Sequence, residues 1–190
     1  FAPYLAQAGS VPADAVYAWF AGADAMRFVK QYKEYGLAAR MPLTGHGVLT
    51  DDTVLPAIGD AALGIVTMHG YSGAVDNPEN RAFVRDYEAA HKVWPSRYSE
   101  GGWDTAMLIA EALESLKGDL SNRDRVREAL RAALPKLKLP RGSVQFDAYR
   151  QVIAPILVTR TEKQGSRIVN AVIDRIPSVS QEATWGWWHK

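Results

Sequence analysis

The chain has 190 residues, and its 22 Lys and Arg nearly balance 21 Asp and Glu, for a formal net charge of +1. This balance gives no electrostatic reason to expect a nucleic acid partner, and 47% hydrophobic with 23% charged residues excludes an intrinsically disordered chain. The lack of cysteine excludes disulfides and cysteine-ligated metal sites, and no apolar stretch reaches the roughly 18 residues needed to cross a bilayer.

The first third of the sequence alternates between segments typical of strands and of helices. A helix is predicted from Asp24 to Gly36, and one or two helical turns at 52–58. Strands separated by helical crossovers form parallel sheets, which bind ligands beyond the carboxyl ends of their strands. The predicted strands lie at 14–20, 41–44 and 63–68, and the three ends at 20–23, 45–47 and 69–71 are therefore expected to converge.

The middle third of the sequence predicts helices. Asn77 and Pro78 are typical of a helix start, and two further helices are predicted to begin at Ser99 and Ser121. One of them carries an apolar stripe that includes Trp103 and Met107. Strand signals return after Gly142, so the helical region interrupts a sheet domain. The returning strands are predicted at 143–146, 152–159 and 168–173.

The sequence Gly70-Tyr71-Ser72-Gly73 resembles the turn that carries the nucleophilic serine of many hydrolases. That turn is written G-x-S-x-G and runs directly into a helix. Here Ala74 replaces the last glycine, and further loop residues precede the helix start at Asn77. We therefore favour an ordinary loop, with a hydrolase that uses Ser72 as an alternative.

The four histidines show no spacing typical of a metal site, and no metal or cofactor is predicted. His46 lies between two glycines at a predicted strand end, where its ring can donate hydrogen bonds to an anion, so a ligand role is favoured. For His69 a ligand role and a structural role are equally open. Glu100 and Asp104 are explained as acidic residues in the first turn of a helix.

The sequence resembles the C-terminal half of a periplasmic solute-binding protein of the leucine/isoleucine/valine-binding type. The segments that carry the resemblance are 14–24, 27–37, 60–65 and 76–80. The resemblance implies an α/β fold of type I, with a parallel-sheet three-layer lobe and helices of a second, incomplete lobe. Under that division residues 1–72 and 141–182 form the C-terminal lobe, 73–140 belong to the N-terminal lobe, and 183–190 form an aromatic tail.

The resemblance also implies a ligand site. In amino-acid-binding relatives the loop matching Gly45 to Gly47 supplies an acid for the ligand's ammonium group, and the segment matching 20–23 supplies a tyrosine. This sequence has His46 and Ala23 at those places, and an unpaired buried ammonium is costly. We therefore expect a small carboxylate with an apolar or aromatic body, contacted by Phe20, Ala21, Gly22, Ala23, Gly45, His46, His69 and Tyr71. Phe20, Trp19 and Tyr71 are expected to supply flat contact surfaces.

The resemblance implies a binding protein rather than an enzyme. The expected role is that of the periplasmic solute-binding component of an ABC importer, with a membrane permease as partner and a carboxylate, such as an aromatic acid, as ligand. A missing N-terminal portion or a second copy is expected to cover residues 73–140. The alternatives are a branched-chain amino-acid-binding protein, the Ser72 hydrolase, and a ligand sensor of the same fold.

Overall fold

The computed structural model describes residues 1–182, and the predicted aromatic tail at 183–190 lies outside them. Within the described part there are six α-helices and six strands, which alternate as far as β3 and are followed by three helices and then three strands. The helices are α1 (Ala2–Ser10), α2 (Gly22–Glu34), α3 (Leu55–Ile58), α4 (Pro78–His91), α5 (Arg97–Ser115) and α6 (Arg123–Ala133). The strands are β1 (Val16–Ala18), β2 (Leu43–His46), β3 (Val66–His69), β4 (Gln145–Phe146), β5 (Val152–Gln164) and β6 (Arg167–Val179).

The strands form one mixed sheet in the order β1, β2, β3, β5, β4, with β6 paired to β5. Strands β1, β2 and β3 are parallel, as the alternation of strands and helices predicts. Strand β5 returns after the helical region and pairs antiparallel with β3 and with β6. The α/β class is confirmed, while the parallel part of the sheet is confined to its first three strands.

One hydrophobic core lies between the first three strands and the helices next to them. Helices α1 and α2 contribute Leu5, Phe28, Val29 and Tyr32, which are each at most 6% exposed. The sequence analysis predicts no element at the N-terminus, yet α1 forms there because Leu5 packs into this core. Burial of such side chains stabilises the parallel sheet that positions the strand ends.

The helical region packs a smaller cluster of its own around Tyr71, Phe83 and Val84. Part of the predicted apolar stripe of α5 stays accessible, since Trp103 is 45% and Met107 is 39% exposed. Helix α5 therefore presents apolar surface to solvent in this chain. Among the described residues, no helix is both long and apolar enough to cross a membrane.

The observed N-cap residues of α4, α5 and α6 can be compared with those predicted from the sequence. The side chain of Asn77 accepts a hydrogen bond from the backbone N–H of Asn80, which confirms the predicted start of α4. The predicted caps Ser99 and Ser121 are wrong. Ser96 caps α5, with the Ser99 hydroxyl accepting from the Ser96 N–H in return, and Asn122 caps α6.

Candidate functional site

The carboxyl ends of β1, β2 and β3 meet at one edge of the sheet. The Trp19 and His46 ring centroids lie 5.6 Å apart, and those of His46 and His69 lie 6.0 Å apart. This is the convergence that parallel pairing requires, because neighbouring parallel strands end on the same side of a sheet. An indole that is 70% exposed, a partly buried imidazole and a buried imidazole therefore lie side by side.

The glycines on either side of His46 allow this close approach. A Cβ atom at residue 45 would lie 2.1 Å from the carbonyl oxygen of Ala18, and one at residue 47 would lie 2.0 Å from the His69 ring. Both distances are far below a van der Waals contact. Glycine is thus required here by packing against the neighbouring strands.

One hydrogen bond of His46 fixes which of its ring nitrogens carries the proton. Its Nδ1 accepts from the backbone N–H of Val48 at 3.3 Å. Burial lowers the pKa of His46, and the positive charge of Arg97 lowers it further, so the ring is neutral at pH 7. In a neutral ring with an accepting Nδ1, the proton sits on Nε2. His46 therefore presents an N–H donor.

His69 has the opposite tautomer. Its Nδ1 lies 2.9 Å from the carbonyl oxygen of Tyr71, and only a protonated nitrogen can pair with a carbonyl. Burial lowers the pKa of His69, although the bond to Tyr71 opposes that shift. The neutral ring then carries a free lone pair on Nε2, a buried atom with no hydrogen-bond partner among the described residues. His69 therefore presents an acceptor.

Arg97 and Asp51 lie close enough to His69 for their charges to shift its pKa, and neither was predicted from the sequence. Arg97 is the first residue of α5, and its Nε lies 3.9 Å from Oδ2 of Asp51. Its Nη2 donates to the hydroxyl of Tyr98 at 3.0 Å. The positive charge of Arg97 also lowers the pKa values of His46 and His69. The site therefore contains a guanidinium group that was not predicted from the sequence.

Two aromatic residues predicted to contact a ligand are placed differently. Phe20 is partly buried against the main core, where its ring packs 4.8 Å from Phe1 and 4.7 Å from Phe28. Tyr71 is 1% exposed, and its hydroxyl donates to Oδ1 of Asn80 at 2.7 Å. Tyr71 is therefore closed to solvent and Phe20 is partly covered, while their contacts with a ligand stay predictions. Trp19, the third ring expected to supply a flat surface, is 70% exposed.

The segment between β1 and α2 leaves Ala21, Gly22 and Ala23 exposed. Ala21 is the residue before the helix, and its side chain makes no capping hydrogen bond. The first backbone N–H groups of a helix have no partners within the helix, and the helix dipole places partial positive charge there. The start of α2 therefore offers backbone donors to an anion.

Ser72 has a structural role. Its hydroxyl donates to the carbonyl oxygen of Asn170 at 2.6 Å and accepts from the N–H of Ala74 at 3.1 Å. The residue is 1% exposed, and no histidine contacts its hydroxyl within the described chain. This arrangement lacks the base that a nucleophilic serine requires.

A buried ion cluster lies beside the site. Arg141 binds both carboxylate oxygens of Glu100, which is 0% exposed, and its Nε lies 3.1 Å from Oδ2 of Asp104. Burial and the charge of Glu100 raise the pKa of Asp104. The helix dipole is therefore an incomplete explanation for the two acids, which also hold Arg141 in place. Arg141 and Arg97 both border a pocket of about 320 Å³. Its lining residues are Gly70, Tyr71, Arg97, Tyr98, Gly101 and Arg141.

In the part of the chain covered by the structure, no group of three or more His, Cys, Asp or Glu side chains could hold a metal ion. The polar groups at the strand ends are instead hydrogen-bond donors and acceptors around an exposed indole. Such a set is chemically suited to a small polar solute with an apolar body.

The chain matches known proteins over most of its length. A family described as "Periplasmic binding protein" matches residues 1–166. The Leu/Ile/Val-binding protein homolog 6 of Brucella melitensis is 30% identical over 151 residues, which make up 77% of this chain and 38% of that protein.

Two solved structures are also similar. An ABC transporter substrate-binding protein from Sphaerobacter thermophilus has 36% identity and a TM-score of 0.86, over 93% of this chain and 48% of that one. An ABC transporter solute-binding protein from R. palustris, in complex with benzoate, has 34% identity and a TM-score of 0.83, over 95% of this chain and 48% of that one. The chain therefore spans about half the length of these solved relatives.

Proposed function

We propose that this chain, which belongs to the periplasmic binding protein family of the Leu/Ile/Val-binding type, binds a small aromatic carboxylate as part of an ABC importer's solute-binding component. The observation that carries the proposal is the outward N–H of His46 beside the exposed ring of Trp19. An N–H donor suits a carboxylate, and a flat indole suits an aromatic body.

The carboxylate end of the solute would lie between His46 and the start of α2. The backbone N–H groups after Ala21 have no capping partner there, and helix starts favour negative charge. Arg97 adds positive charge to the same edge of the sheet. Three independent sources of positive potential support an acid as ligand.

An α-amino acid fits this site less well. Its ammonium group needs an anionic partner, and the carboxylate of Asp51 already faces the guanidinium of Arg97 at 3.9 Å. The relative from R. palustris, whose structure contains benzoate, supports the aromatic acid over leucine.

The proposal places residues 1–72 and 141–182 in one lobe and the helices of 73–140 in the other. A ligand that contacts both lobes stabilises a closed form, which a membrane permease then recognises in the periplasm. Arg97 on α5 and His46 on β2 would be contacts from the two sides. The exposed apolar side chains of α5 would pack against the rest of the second lobe.

The experiment is an NMR titration of this chain with benzoate, cinnamate and leucine. Aromatic acids are expected to shift the imidazole signals of His46 and the indole N–H of Trp19, while leucine leaves them unchanged. A His46→Leu variant should lose the response, and His91→Leu, at an exposed position in α4, should keep it. If leucine shifts the Trp19 signal as strongly as any aromatic acid, the aromatic-acid proposal is wrong.

A further inference from the structure

The side chain of Arg167, at the start of β6, joins the sheet to the helical region of α4 to α6. Its Nη2 donates to Oε1 of Glu88 on α4 at 2.5 Å, and its guanidinium carbon lies 4.1 Å from the centre of the Trp94 ring. Trp94 belongs to the helical region as well, because it packs against the cluster that contains Tyr71 and Phe83. One guanidinium on the sheet therefore binds two side chains of the helical region.

The indole of Trp94 also packs against the backbone of Gly73. A Cβ atom at residue 73 would lie 2.4 Å from Nε1 of Trp94, which is far below a van der Waals contact. That nitrogen is buried and has no hydrogen-bond partner among the described residues. Packing against Gly73 and against the guanidinium of Arg167 therefore positions the ring.

Gly73 lies in the segment that leads from β3 to α4, which is a covalent link between the sheet and the helices. Its neighbour Ser72 donates to the carbonyl oxygen of Asn170 on β6 at 2.6 Å. Arg167 lies on the same strand, three residues before Asn170. The segment is thus bonded to β6 through Ser72, and Arg167 makes a second connection from β6 to the helical region through Trp94.

A cavity of about 620 Å³ lies beside these contacts. Its lining includes Glu88 and other residues of α4, the segment 73–76, Trp94, and Gln164 at the end of β5. Close-packed elements resist displacement, whereas elements that border open space are held by the contacts that reach across it. The position of α4 beside the β5–β6 hairpin therefore depends on side chains such as Arg167.

We propose that Arg167, Glu88 and Trp94 form a latch that restrains the position of the helical region relative to the sheet. The side chains of Arg167 and Glu88 are 42% and 33% exposed. Ion pairs and cation–π contacts at such positions are individually weak, so the latch can open while the chain stays folded. The latch requires no solute, and its test is therefore independent of the proposed function.

The distance between two spin labels measures this position directly. The chain contains no cysteine, so labels attach only to a pair that is introduced for the purpose. Lys30→Cys on α2 and Ala110→Cys on α5 are both at exposed positions, one beside the sheet and one in the helical region. Pulsed electron paramagnetic resonance of the labelled chain then gives the distribution of distances between them.

Arg167→Met removes the charge and keeps an unbranched side chain. It should make the distance distribution about twofold broader or more, because several positions of the helices become populated. Arg160→Met is the matched control, since Arg160 pairs at the same 2.5 Å with Glu162 of its own strand. It should leave the distribution unchanged. Arg167→Lys keeps a cation for both partners and should give a narrower distribution than Arg167→Met.

A second pair of variants disturbs the latch without changing its charges. Gly73→Ala pushes on the Trp94 indole and should broaden the distribution. Gly70→Ala in the same segment brings a Cβ no closer than 4.0 Å to Nη1 of Arg141, and it should not.

Circular dichroism shows that each variant is folded. Should Arg167→Met not fold, Glu88→Gln serves instead, with a broader distribution expected for the same reason. An unchanged distribution in the folded variant, or equal broadening by Arg160→Met, would overturn the latch.

Discussion

Replacement of Asp52 by Asn is expected to stabilise the chain above pH 7 and to leave its stability unchanged near pH 4. Asp52 is 7% exposed and follows another buried acid, Asp51. Its Oδ1 accepts a hydrogen bond from Nδ2 of Asn170 at 3.2 Å, which the carbonyl of an asparagine can also accept. Burial, and then the charge of Asp51, raise the pKa of Asp52 from 3.8 to about 7.

The size of the effect follows from this pKa difference. The folded chain keeps the Asp52 proton up to about pH 7, whereas the unfolded chain loses it near pH 3.8. The stability that the folded chain has with Asp52 protonated is therefore fully present below pH 3.8. It is lost as the pH rises to about 7, because the unfolded chain then gains by losing the proton. Each pH unit in this window costs about 1.4 kcal/mol, so the loss reaches about 4 kcal/mol. The neutral asparagine avoids that loss.

The assay is urea denaturation followed by tryptophan fluorescence at several pH values between 4 and 9. The difference in unfolding free energy between Asp52→Asn and the unmodified chain should grow through the window and then level off. Asp60→Asn, at an exposed position, is the control and should change stability by less than about 0.5 kcal/mol at every pH. A difference that does not depend on pH, or a variant that is less stable at pH 8, would refute the reasoning.

Three further substitutions probe close packing and buried polar groups, with unfolding free energy as the common measurement. Gly47→Ala places a Cβ 2.0 Å from the His69 ring and should lower the unfolding free energy by about 1–3 kcal/mol. Arg141→Met leaves Glu100 buried without its cation and should lower it by about 3–5 kcal/mol. Tyr71→Phe removes a hydroxyl that donates to a buried amide, at a cost of about 1–3 kcal/mol.

Each of these variants has a matched control elsewhere in the chain. Gly102→Ala meets no atom within 4 Å and should not destabilise its helix. Arg127→Met breaks only an exposed ion pair, and Tyr4→Phe alters a side chain that is 72% exposed, so each should change the unfolding free energy by less than about 1 kcal/mol. A variant that is no less stable than its control would contradict the corresponding contact.

Helices α2 to α6 and the first three strands could be predicted because their signals are local. The residues of an apolar run, or of an apolar stripe at helical spacing, all lie within the strand or helix that they predict. The cap at Asn77 belongs to the same class, since its side chain bonds to an N–H three residues away. Ser96 and Ser99 are both chemically suited to cap α5, and only the fold decides that the helix begins after the first.

The orientation of aromatic residues after β1 could not be predicted. The strand has only three residues, so alternation along it does not show which of Trp19 and Phe20 faces the core. Phe1 and Phe28 decide this, because they surround Phe20 and leave the indole beside His46. Whether Phe20 also contacts a ligand stays a prediction.

Taken alone, the amino-acid sequence determined the α/β class, the meeting of three strand ends and the place of His46 among them. Each of these follows from short-range periodicity and from the rule that parallel strands end together. The tertiary structure alone decided the partners of Arg97, the ion cluster at Arg141 and the opposite tautomers of the two histidines. Charges and buried hydrogen bonds select partners by distance in space, and α5 reaches Asp51 and Arg141 across about 40 residues of chain whose path only packing sets.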